Sequence, residues 1–408
     1  MSAIKPFRAL RPRPDIAEKV SCIPYDVPYD SEVREIIAEN PVSFLRVTRP
    51  EAEFPLDSNP SDESILAKSK ENLAAFIRDG ILVNDPEPAV YIYRLTEGSH
   101  TQTGIVACCS IDEYENGLIK KHEKTRPDKV KDRTGHMIAL RAQTGLIFLA
   151  FRGTDDIREL IAAETKLPPI YDCPCEGGIS QTVWRVTNAD ALVAAFGEVP
   201  ALYVADGHHR IESALLARNT LRDQNAAHSG AEDYNFVMAG IFPAEDLMIL
   251  PYNRAVKDLN GLSEAEFLER LAASFHISET QQKLPESVGD ICMYLDGKWY
   301  SLRSATDWIR ELDPIERLDV SILQNGLLRP ILGIGDPRTN ERISFVGGRR
   351  GTDELEKLVN SGEAKVAFSL YPTSMDDLFA VSDMGEIMPP KSTWFEPKLK
   401  DGLFIHQI

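Results

Sequence analysis

Short apolar segments rich in β-branched residues alternate with amphipathic patterns along the whole chain of 408 residues. Apolar runs bounded by turn residues predict strands, and apolar positions that recur every three or four residues predict helices. The predicted strands are 89–95, 104–111, 145–151, 202–205, 235–242, 291–295, 299–302, 342–346 and 365–370. The predicted helices are 31–39, 62–79, 129–143, 189–196, 211–225, 263–274, 315–328 and 353–361. This alternation is typical of a mixed α/β protein, of either the α/β or the α+β class.

One turn in this pattern carries an informative set of polar residues. The segment 206–210, here named the DGHHR turn, follows the strand predicted at 202–205 and leads into the helix predicted at 211–225. Gly207 permits backbone angles that a side chain would forbid. The first amides of a helix have no partner inside the helix and lie at the positive end of its dipole, so they form a seat for an anion such as phosphate. The predicted phosphate-binding residues are Asp206, Gly207, His208, His209 and Arg210.

Two other interpretations of the DGHHR turn stay open. It is compatible with a structural turn that carries ordinary surface histidines. It is also compatible with a metal site built from Asp206, His208, His209 and Glu212, because His208 and Glu212 share one face of a helix. Zinc, however, usually takes three or four such ligands, and no H-x-x-x-H pattern occurs in the chain.

A second candidate segment is the basic run at 120–133, which contains seven Lys or Arg and three acids in a chain of net charge −18. It enters a helix whose first turn is expected near Asp128. Lysine and arginine are point-charge and bidentate donors to phosphate, so the run is interpreted as a phosphate clamp, with a solvated charged loop as the alternative. Its candidate cofactor-binding residues are Lys121, Lys124, Thr125 and Arg126, and its candidate catalytic residues are His122 and Glu123. Glu123 is also a candidate Mg²⁺ ligand.

A third candidate is the loop at 23–30, in which Pro and Tyr residues surround acids. Such a loop is rigid, and Asp26 is a candidate general base toward a hydroxyl group. Asp30 is expected to cap the helix that follows it. This leaves Asp26 for chemistry.

The composition limits the class of protein. The net charge of −18 argues against a nucleic-acid binder, which usually has a basic face. No apolar run reaches the roughly 18 residues of a membrane helix, and the first residues lack the apolar core of a signal peptide. Six cysteines do not make a disulfide framework in a chain of this length. We therefore expect a cytoplasmic protein with no nucleic-acid or membrane partner, in which Cys108 and Cys109 lie in a strand and Cys173 and Cys175 in a loop, all in structural roles.

Five segments of the chain form a specific set of motifs: PFRALR at 6–11, PYDV at 24–27, HEKT at 122–125, ADGHHR at 205–210 and MPPKSTW at 388–394. Together they resemble a widespread prokaryotic family known only as a domain of unknown function, number ten-fifteen. The resemblance covers essentially the whole chain.

The DGHHR turn also resembles the nucleotide-binding turn of the ParB and sulfiredoxin superfamily, which includes nucleotide-binding DNA-partition proteins, an ATP-using sulfinic-acid reductase and archaeal kinases of free serine. The resemblance implies a ParB/sulfiredoxin-like nucleotide-binding core within a larger mixed-sheet protein, and phosphate binding by 207–210. His208 stands where sulfiredoxin has its nucleophilic cysteine, and the DNA-binding segment of ParB has no evident counterpart. The free-serine kinases are therefore the nearest functional relatives, by analogy.

These observations predict a nucleotide-dependent phosphotransferase that acts on a small hydroxylated metabolite, with free serine as the best single candidate. The expected cofactors are ATP or ADP and Mg²⁺. The candidate catalytic residues are Asp26, His122, Glu123 and His208, and the candidate Mg²⁺ ligands are Glu123 and Asp206. Two alternative functions stay open. One is a regulatory protein that binds or slowly hydrolyses nucleotide, and the other is a metal-assisted phosphatase. The chain is also a candidate homo-oligomer.

The domain boundary is expected near 258–263, where turn residues precede a helix cap. Residues 1–258 are predicted to form the nucleotide-binding and catalytic domain with the ParB/sulfiredoxin-like core. Residues 259–408 are predicted to form a C-terminal α/β domain. Its last segment is a candidate to return to the site.

Overall fold

A computed structural model of the chain describes residues 3–175, 178–304 and 313–408. The chain divides into two compact units. Unit 1 comprises Met1–Lys121, Thr125–Leu247 and Pro397–Ile408, and unit 2 comprises His122–Lys124 and Met248–Glu396. Both units combine helices with β-sheets, so the predicted mixed α/β class is confirmed. Within the described ranges, no helix is both long and apolar enough to cross a membrane.

The described strands are β1 (Ile4–Lys5), β2 (Ala9–Pro12), β3 (Leu82–Asn84), β4 (Tyr91–Glu97), β5 (His100–Ser110), β6 (Ile119–Lys120), β7 (Ala142–Gln143), β8 (Ile147–Phe151), β9 (Tyr171–Cys175), β10 (Ile179–Arg185), β11 (Leu202–Asp206), β12 (Phe236–Pro243), β13 (Met248–Leu250), β14 (Tyr252–Val256), β15 (Phe275–Thr280), β16 (Asp290–Leu295), β17 (Lys298–Ser304), β18 (Ile343–Gly347), β19 (Val366–Leu370), β20 (Trp394–Glu396) and β21 (Ile405–Gln407). The described α-helices are α1 (Ala17–Val20), α2 (Asp30–Glu39), α3 (Leu45–Thr48), α4 (Asp62–Arg78), α5 (Ile111–Glu115), α6 (Pro127–Leu140), α7 (Asp155–Glu164), α8 (Ala189–Phe196), α9 (His208–Gln224), α10 (Glu264–Leu271), α11 (Asp319–Leu323), α12 (Gly351–Asn360) and α13 (Met375–Asp383).

The larger sheet of unit 1 carries the DGHHR turn. Its strand order is β6-β11-β8-β12-β5-β4-β10-β9, and β1 pairs with β5 outside this order. Strand β11 lies between β6, to which it is parallel, and β8, to which it is antiparallel. Leu202, Tyr203 and Val204 of β11 are all buried, as expected for an apolar strand covered on both faces. The first residues of β11 are therefore paired on both sides, and the pairing with β8 continues as far as Asp206 of the DGHHR turn.

A second, smaller sheet of unit 1 contains the C-terminus of the chain. Its strand order is β3-β2-β21-β7, so the last strand of the chain lies between β2 and β7. Its core includes the fully buried rings of Phe44 and Phe76. This pairing places the segment that precedes β21 within unit 1.

Unit 2 is built on a six-stranded antiparallel sheet with the order β15-β17-β16-β19-β14-β18. Helix α12 contributes Leu355 to the core on one face of this sheet. Strands β16 and β17 are joined by Asp296 and Gly297, whose φ angles of 48° and 78° are both left-handed. A two-residue hairpin loop with positive φ at both positions is the turn that the sequence Asp-Gly favours.

Four local predictions are wrong. The helix predicted at 315–328 begins only at Asp319, as α11, and continues over 324–328 as a π-helix. The helix predicted at 129–143 is α6, which ends where Arg141 adopts a left-handed φ of 50°, and the next two residues form β7. Cys173 and Cys175 lie in strand β9 rather than in a loop, because they pair with β10. Asp30 does not cap α2, since the helix begins at Asp30 itself, Glu32 accepts the N–H of Tyr29 at 2.7 Å, and Asp30 pairs with Arg49.

Asp319 of unit 2 is a buried carboxyl group that pairs with no cation in the part of the chain that the structure describes. It is 6% exposed and accepts hydrogen bonds from the N–H of Gly289 at 2.8 Å and of Tyr371 at 3.2 Å. Burial raises the pKa of Asp319 to about 7, although these two hydrogen bonds oppose the shift. The carboxyl group therefore changes charge near neutral pH.

We expect Asp319→Asn to remove a pH dependence of stability. The native state keeps the Asp319 proton up to about pH 7, whereas the unfolded chain releases it near pH ~3.9. Because the native state binds more protons in between, the free energy of unfolding falls as the pH rises, by about 2 kcal/mol from pH ~5 to pH ~7. Urea unfolding of both proteins across this interval measures the difference.

The control for this experiment is Asp336→Asn. Arg338 lowers the pKa of Asp336 to about 2, so Asp336 does not titrate in the interval measured. Its replacement should leave the fall of the unfolding free energy between pH ~5 and pH ~7 unchanged. If that fall persists in Asp319→Asn, the assignment to Asp319 is wrong.

Candidate functional site

The DGHHR turn joins β11 to α9 through a left-handed glycine. Gly207 has a φ of 90°, an angle that L side chains rarely adopt. Its N–H donates to Asp206 Oδ1 at 2.8 Å, and its carbonyl oxygen accepts the N–H of Arg210 at 2.9 Å and of Ile211 at 3.1 Å. Gly207 is the residue before α9, and it has no side chain of its own to cap the helix. Gly207 thus lets a 17-residue helix begin directly after β11.

The first turn of a second helix lies beside that of α9. The N–H of Arg126, the residue before α6, donates to His209 Nε2 at 3.0 Å, and Ser213 Oγ donates to the carbonyl oxygen of Val130 at 3.0 Å. The partners advance by four residues on both helices, so α6 and α9 run side by side in the same direction. Their N-termini, and the positive ends of both dipoles, therefore meet at the contact between Arg126 and His209.

Lys398, from the C-terminal segment of unit 1, brings a cation to Asp206 at the start of the DGHHR turn. Its Nζ lies 2.5 Å from Asp206 Oδ2, and the Asp206 side chain stays 43% exposed. Burial would raise the pKa of Asp206, but Lys398, Arg210 and the N–H of Gly207 together lower it below its usual range. Asp206 is therefore ionised at neutral pH.

Arg210 points into unit 1 and forms a buried ion pair. Its Nη1 donates to the carbonyl oxygen of Leu146 at 2.9 Å and to Asp401 Oδ1 at 3.1 Å. The two side chains are only 11% and 1% exposed. Burial raises the pKa of Asp401 to about 6 although Arg210 opposes this shift. Burial also acts to lower the pKa of Arg210, but the nearby carboxylates raise it, so Arg210 stays cationic.

Tyr25 links the loop at 23–30 to this ion pair. Its ring centroid lies 5.2 Å from the Arg210 guanidinium carbon and 4.2 Å from that of Arg133, and its N–H donates to Asp401 Oδ2 at 3.4 Å. Burial raises the pKa of Tyr25 to about 12, so the ring stays neutral. The next residue, Asp26, is 58% exposed and places its Oδ1 3.8 Å from Arg210 Nη2. The structure therefore brings together the predicted base Asp26 and the DGHHR turn.

The predicted cations of the basic run differ in their placement. Lys121 is exposed, with its Nζ 4.0 Å from Glu212 Oε2 of α9. The Arg126 guanidinium pairs with Asp128 at 2.8 Å and is 70% exposed. Thr125 lines a groove between α6 and α9 in unit 1. Lys124 is exposed and belongs to unit 2.

Two of the predicted catalytic residues belong to unit 2. His122 is buried, its carbonyl oxygen accepts the N–H of Met388 at 2.8 Å, and its Nε2 lies 3.3 Å from Thr393 Oγ1. The HEKT and MPPKSTW segments thus pack together although they are far apart in the sequence. Glu123 is partly buried beside His122. The other two predicted catalytic residues, Asp26 and His208, lie in unit 1, where His208 is 3% exposed.

The four residues of the alternative metal site do not form a metal cluster. Among the described residues, no three His, Cys, Asp or Glu side chains come together as metal ligands. The reason is that the side chains turn to different partners. Asp206 pairs with Lys398, His209 accepts the N–H of Arg126, and Glu212 accepts the hydroxyl of Tyr114 at 2.6 Å.

Three residues of the site were not predicted from the sequence, namely Lys398, Asp401 and Tyr25. Lys398 and Asp401 lie almost two hundred residues from the turn they contact, and no local pattern marks either of them. Only the expectation that the last segment returns to the site pointed in this direction. Tyr25 lies within a segment that the motifs had already selected.

Comparison with known protein families identifies the family to which this chain belongs. The chain belongs to the family described as "Protein of unknown function (DUF1015)", whose profile matches residues 4–321, which confirms the membership expected from the motifs. No curated protein matches the chain.

Several solved structures are similar to it at low identity. They include a free serine kinase in complex with AMP, at 12% identity and a TM-score of 0.37, covering 73% of this chain and 91% of that one. A conserved hypothetical protein from Pyrococcus furiosus is 14% identical with a TM-score of 0.37, covering 74% and 95%. SbnI with a C-terminal truncation, from Staphylococcus aureus, is 13% identical with a TM-score of 0.39, covering 74% and 87%.

Proposed function

We propose that this protein is a nucleotide-dependent phosphotransferase that acts on a small hydroxylated metabolite, with free serine as the first acceptor to test. The observation that carries the proposal is the meeting of two helix N-termini at the contact between Arg126 and His209. Two aligned dipoles, a left-handed glycine and the nearby Lys398 favour a multiply charged anion at this position. The phosphates of ATP or ADP are such an anion.

The proposed reaction needs an acceptor hydroxyl near these phosphates. Phosphoryl transfer depends mainly on positioning and on charge neutralisation. Asp26 is exposed and lies next to Arg210, so it is the first candidate to accept the hydroxyl proton. His122 and Glu123 in unit 2 are the second candidates, and His208, which is buried, is proposed to support the phosphate turn.

Asp206 fits the role of a Mg²⁺ ligand. Carboxylate oxygens are preferred by this ion, and Asp206 is ionised and partly exposed. Glu123 is the second candidate. Bound Mg²⁺ would neutralise charge on the phosphate oxygens.

The proposed phosphate site lies at the N-termini of α6 and α9, beside Arg126, Gly207 and His209, and is named the seat below. Calorimetric titration with ATP and ADP tests it. We expect the unaltered protein to bind at least one of the two, and His209→Ala to weaken that binding about tenfold, because the variant loses the side chain that holds Arg126 at the junction of the helices. His276→Ala, which removes an exposed histidine of β15, should bind like the unaltered protein. Absence of binding in the unaltered protein, or full binding by His209→Ala, would contradict the proposal.

An acceptor panel then tests the transfer step. We expect free serine, or another small hydroxylated compound, to stimulate nucleotide turnover in the presence of Mg²⁺. Binding with a slow turnover that no acceptor stimulates would favour the alternative of a nucleotide-responsive regulatory protein.

A further inference from the structure

A groove of about 550 Å³ runs between α6 and α9 in unit 1. It begins at Thr125 and Glu212, one turn from the contact between Arg126 and His209, and follows both helices away from their N-termini. Because the helices are parallel, this groove leads directly out of the proposed phosphate seat.

The chemistry of the groove changes along its length. Near the seat it presents the Thr125 hydroxyl and the Glu212 carboxylate. Its middle is lined by Leu216, the largely buried Val130 and Lys131, and its far end by the polar residues Thr134, Asn219, Thr220 and Asp223. With a rise of about 1.5 Å per residue, Glu212 lies roughly 4.5 Å and Leu216 roughly 10.5 Å along α9 from His209. Leu216 is 42% exposed although it is a large apolar residue, and it lies between Glu212 and Asn219 in the lining of the groove. The groove is therefore polar beside the seat, presents the apolar Leu216 in its middle, and is polar again at its far end.

We propose that this groove holds the nucleoside of the nucleotide, an inference that rests on the proposed function of the seat. A nucleotide has the same order of chemistry, since the ribose hydroxyls adjoin the phosphates and the flat base lies beyond them. Glu212 would accept from the ribose hydroxyls, a use of carboxylates that recurs in nucleotide-binding folds. Leu216 and Val130 would contact the faces of the base, and the Asn219 amide would bond to its edge.

Comparison of ADP with inorganic pyrophosphate tests this assignment, because pyrophosphate occupies only the seat. We expect the unaltered protein to bind ADP about tenfold or more tightly than pyrophosphate by calorimetry. Leu216→Trp fills the groove. It should weaken ADP binding until the protein binds ADP and pyrophosphate about equally, and it should leave the affinity for pyrophosphate unchanged. Gln224→Trp places the same ring on an exposed position of α9 outside the lining of the groove, and should keep the difference.

Asn219→Ala provides a second, smaller change. It should weaken ADP severalfold and leave pyrophosphate unchanged. If the preference for ADP persists in both Leu216→Trp and Asn219→Ala, the nucleoside lies elsewhere and only the groove assignment fails. If neither ADP nor pyrophosphate binds to the unaltered protein, the proposed function fails and this inference fails with it.

Discussion

Replacing Asp401 by Ala should lower the free energy of unfolding by about 3–5 kcal/mol. Asp401 is 1% exposed and pairs with Arg210, which is 11% exposed, so the variant leaves a buried guanidinium without its closest counter-charge. Asp26, at 3.8 Å from Arg210, compensates only in part because it is itself 58% exposed. Urea unfolding of the variant and of the unaltered protein at neutral pH measures the loss.

A double variant separates the cost of an unpaired charge from the loss of the pair itself. Arg210→Met combined with Asp401→Leu keeps similar shapes and removes both charges, so it should be more stable than Asp401→Ala alone. The exposed pair of Asp336 and Arg338 is the control, and Asp336→Ala should cost less than about 1 kcal/mol. Equal losses in Asp401→Ala and Asp336→Ala would show that the buried pair does not stabilise unit 1.

The buried pair changes how Arg210 should be tested. From the sequence, Arg210 is predicted to bind phosphate at the first turn of a helix. In the structure its Nη1 is bonded to the Leu146 carbonyl oxygen and to Asp401, and Nη2 faces Asp26. Replacing Arg210 by Ala would therefore affect both the fold and the seat. His209, which is partly exposed, is the better variant for the seat alone.

The sequence was most informative where an element is both apolar and local. The run at 202–205 and the helix after it correspond to β11 and α9, because a buried strand and an amphipathic helix each leave a periodic pattern. Helix α13 was missed although Ser374 and Asp377 form a capping box at its start, so the signal was present and unused. Strand β21 was missed for a different reason. It is only three residues long and is defined by its pairing with β2 and β7.

The candidate site divides in the same way. The DGHHR turn, the HEKT segment and Asp26 were selected from the sequence because unusual combinations of polar residues stand next to turn and helix signals. Lys398 and Asp401 have no such setting, since an isolated lysine or aspartate near a C-terminus is common. Their roles arise from the tertiary structure, which places them on Asp206 and Arg210.

The ion pair between Asp206 and Lys398 at the DGHHR turn predicts how a variant of Asp206 should bind nucleotide. Asp206→Asn should tighten ADP binding without metal by about tenfold, because it removes a carboxylate from the seat and releases Lys398 from its pairing with Asp206. With Mg²⁺ the same variant should lose the metal-dependent gain in affinity, and its turnover should fall about a hundredfold. Titrations in EDTA and in Mg²⁺ measure the affinity for ADP without and with the metal, and an assay of nucleotide turnover measures the rate.

The matched control is Asp128→Asn at the start of α6. Asp128 is a neighbouring exposed carboxylate that pairs with Arg126, so its replacement also removes negative charge near the junction of the helices. It should tighten ADP binding in EDTA but leave the effect of Mg²⁺ in place, because Asp128 is not a proposed metal ligand. Asp206 is a metal ligand only if its variant alone loses the response to Mg²⁺. If both variants keep that response, the ion is held by other residues, and Glu123 in unit 2 is the next carboxylate to replace.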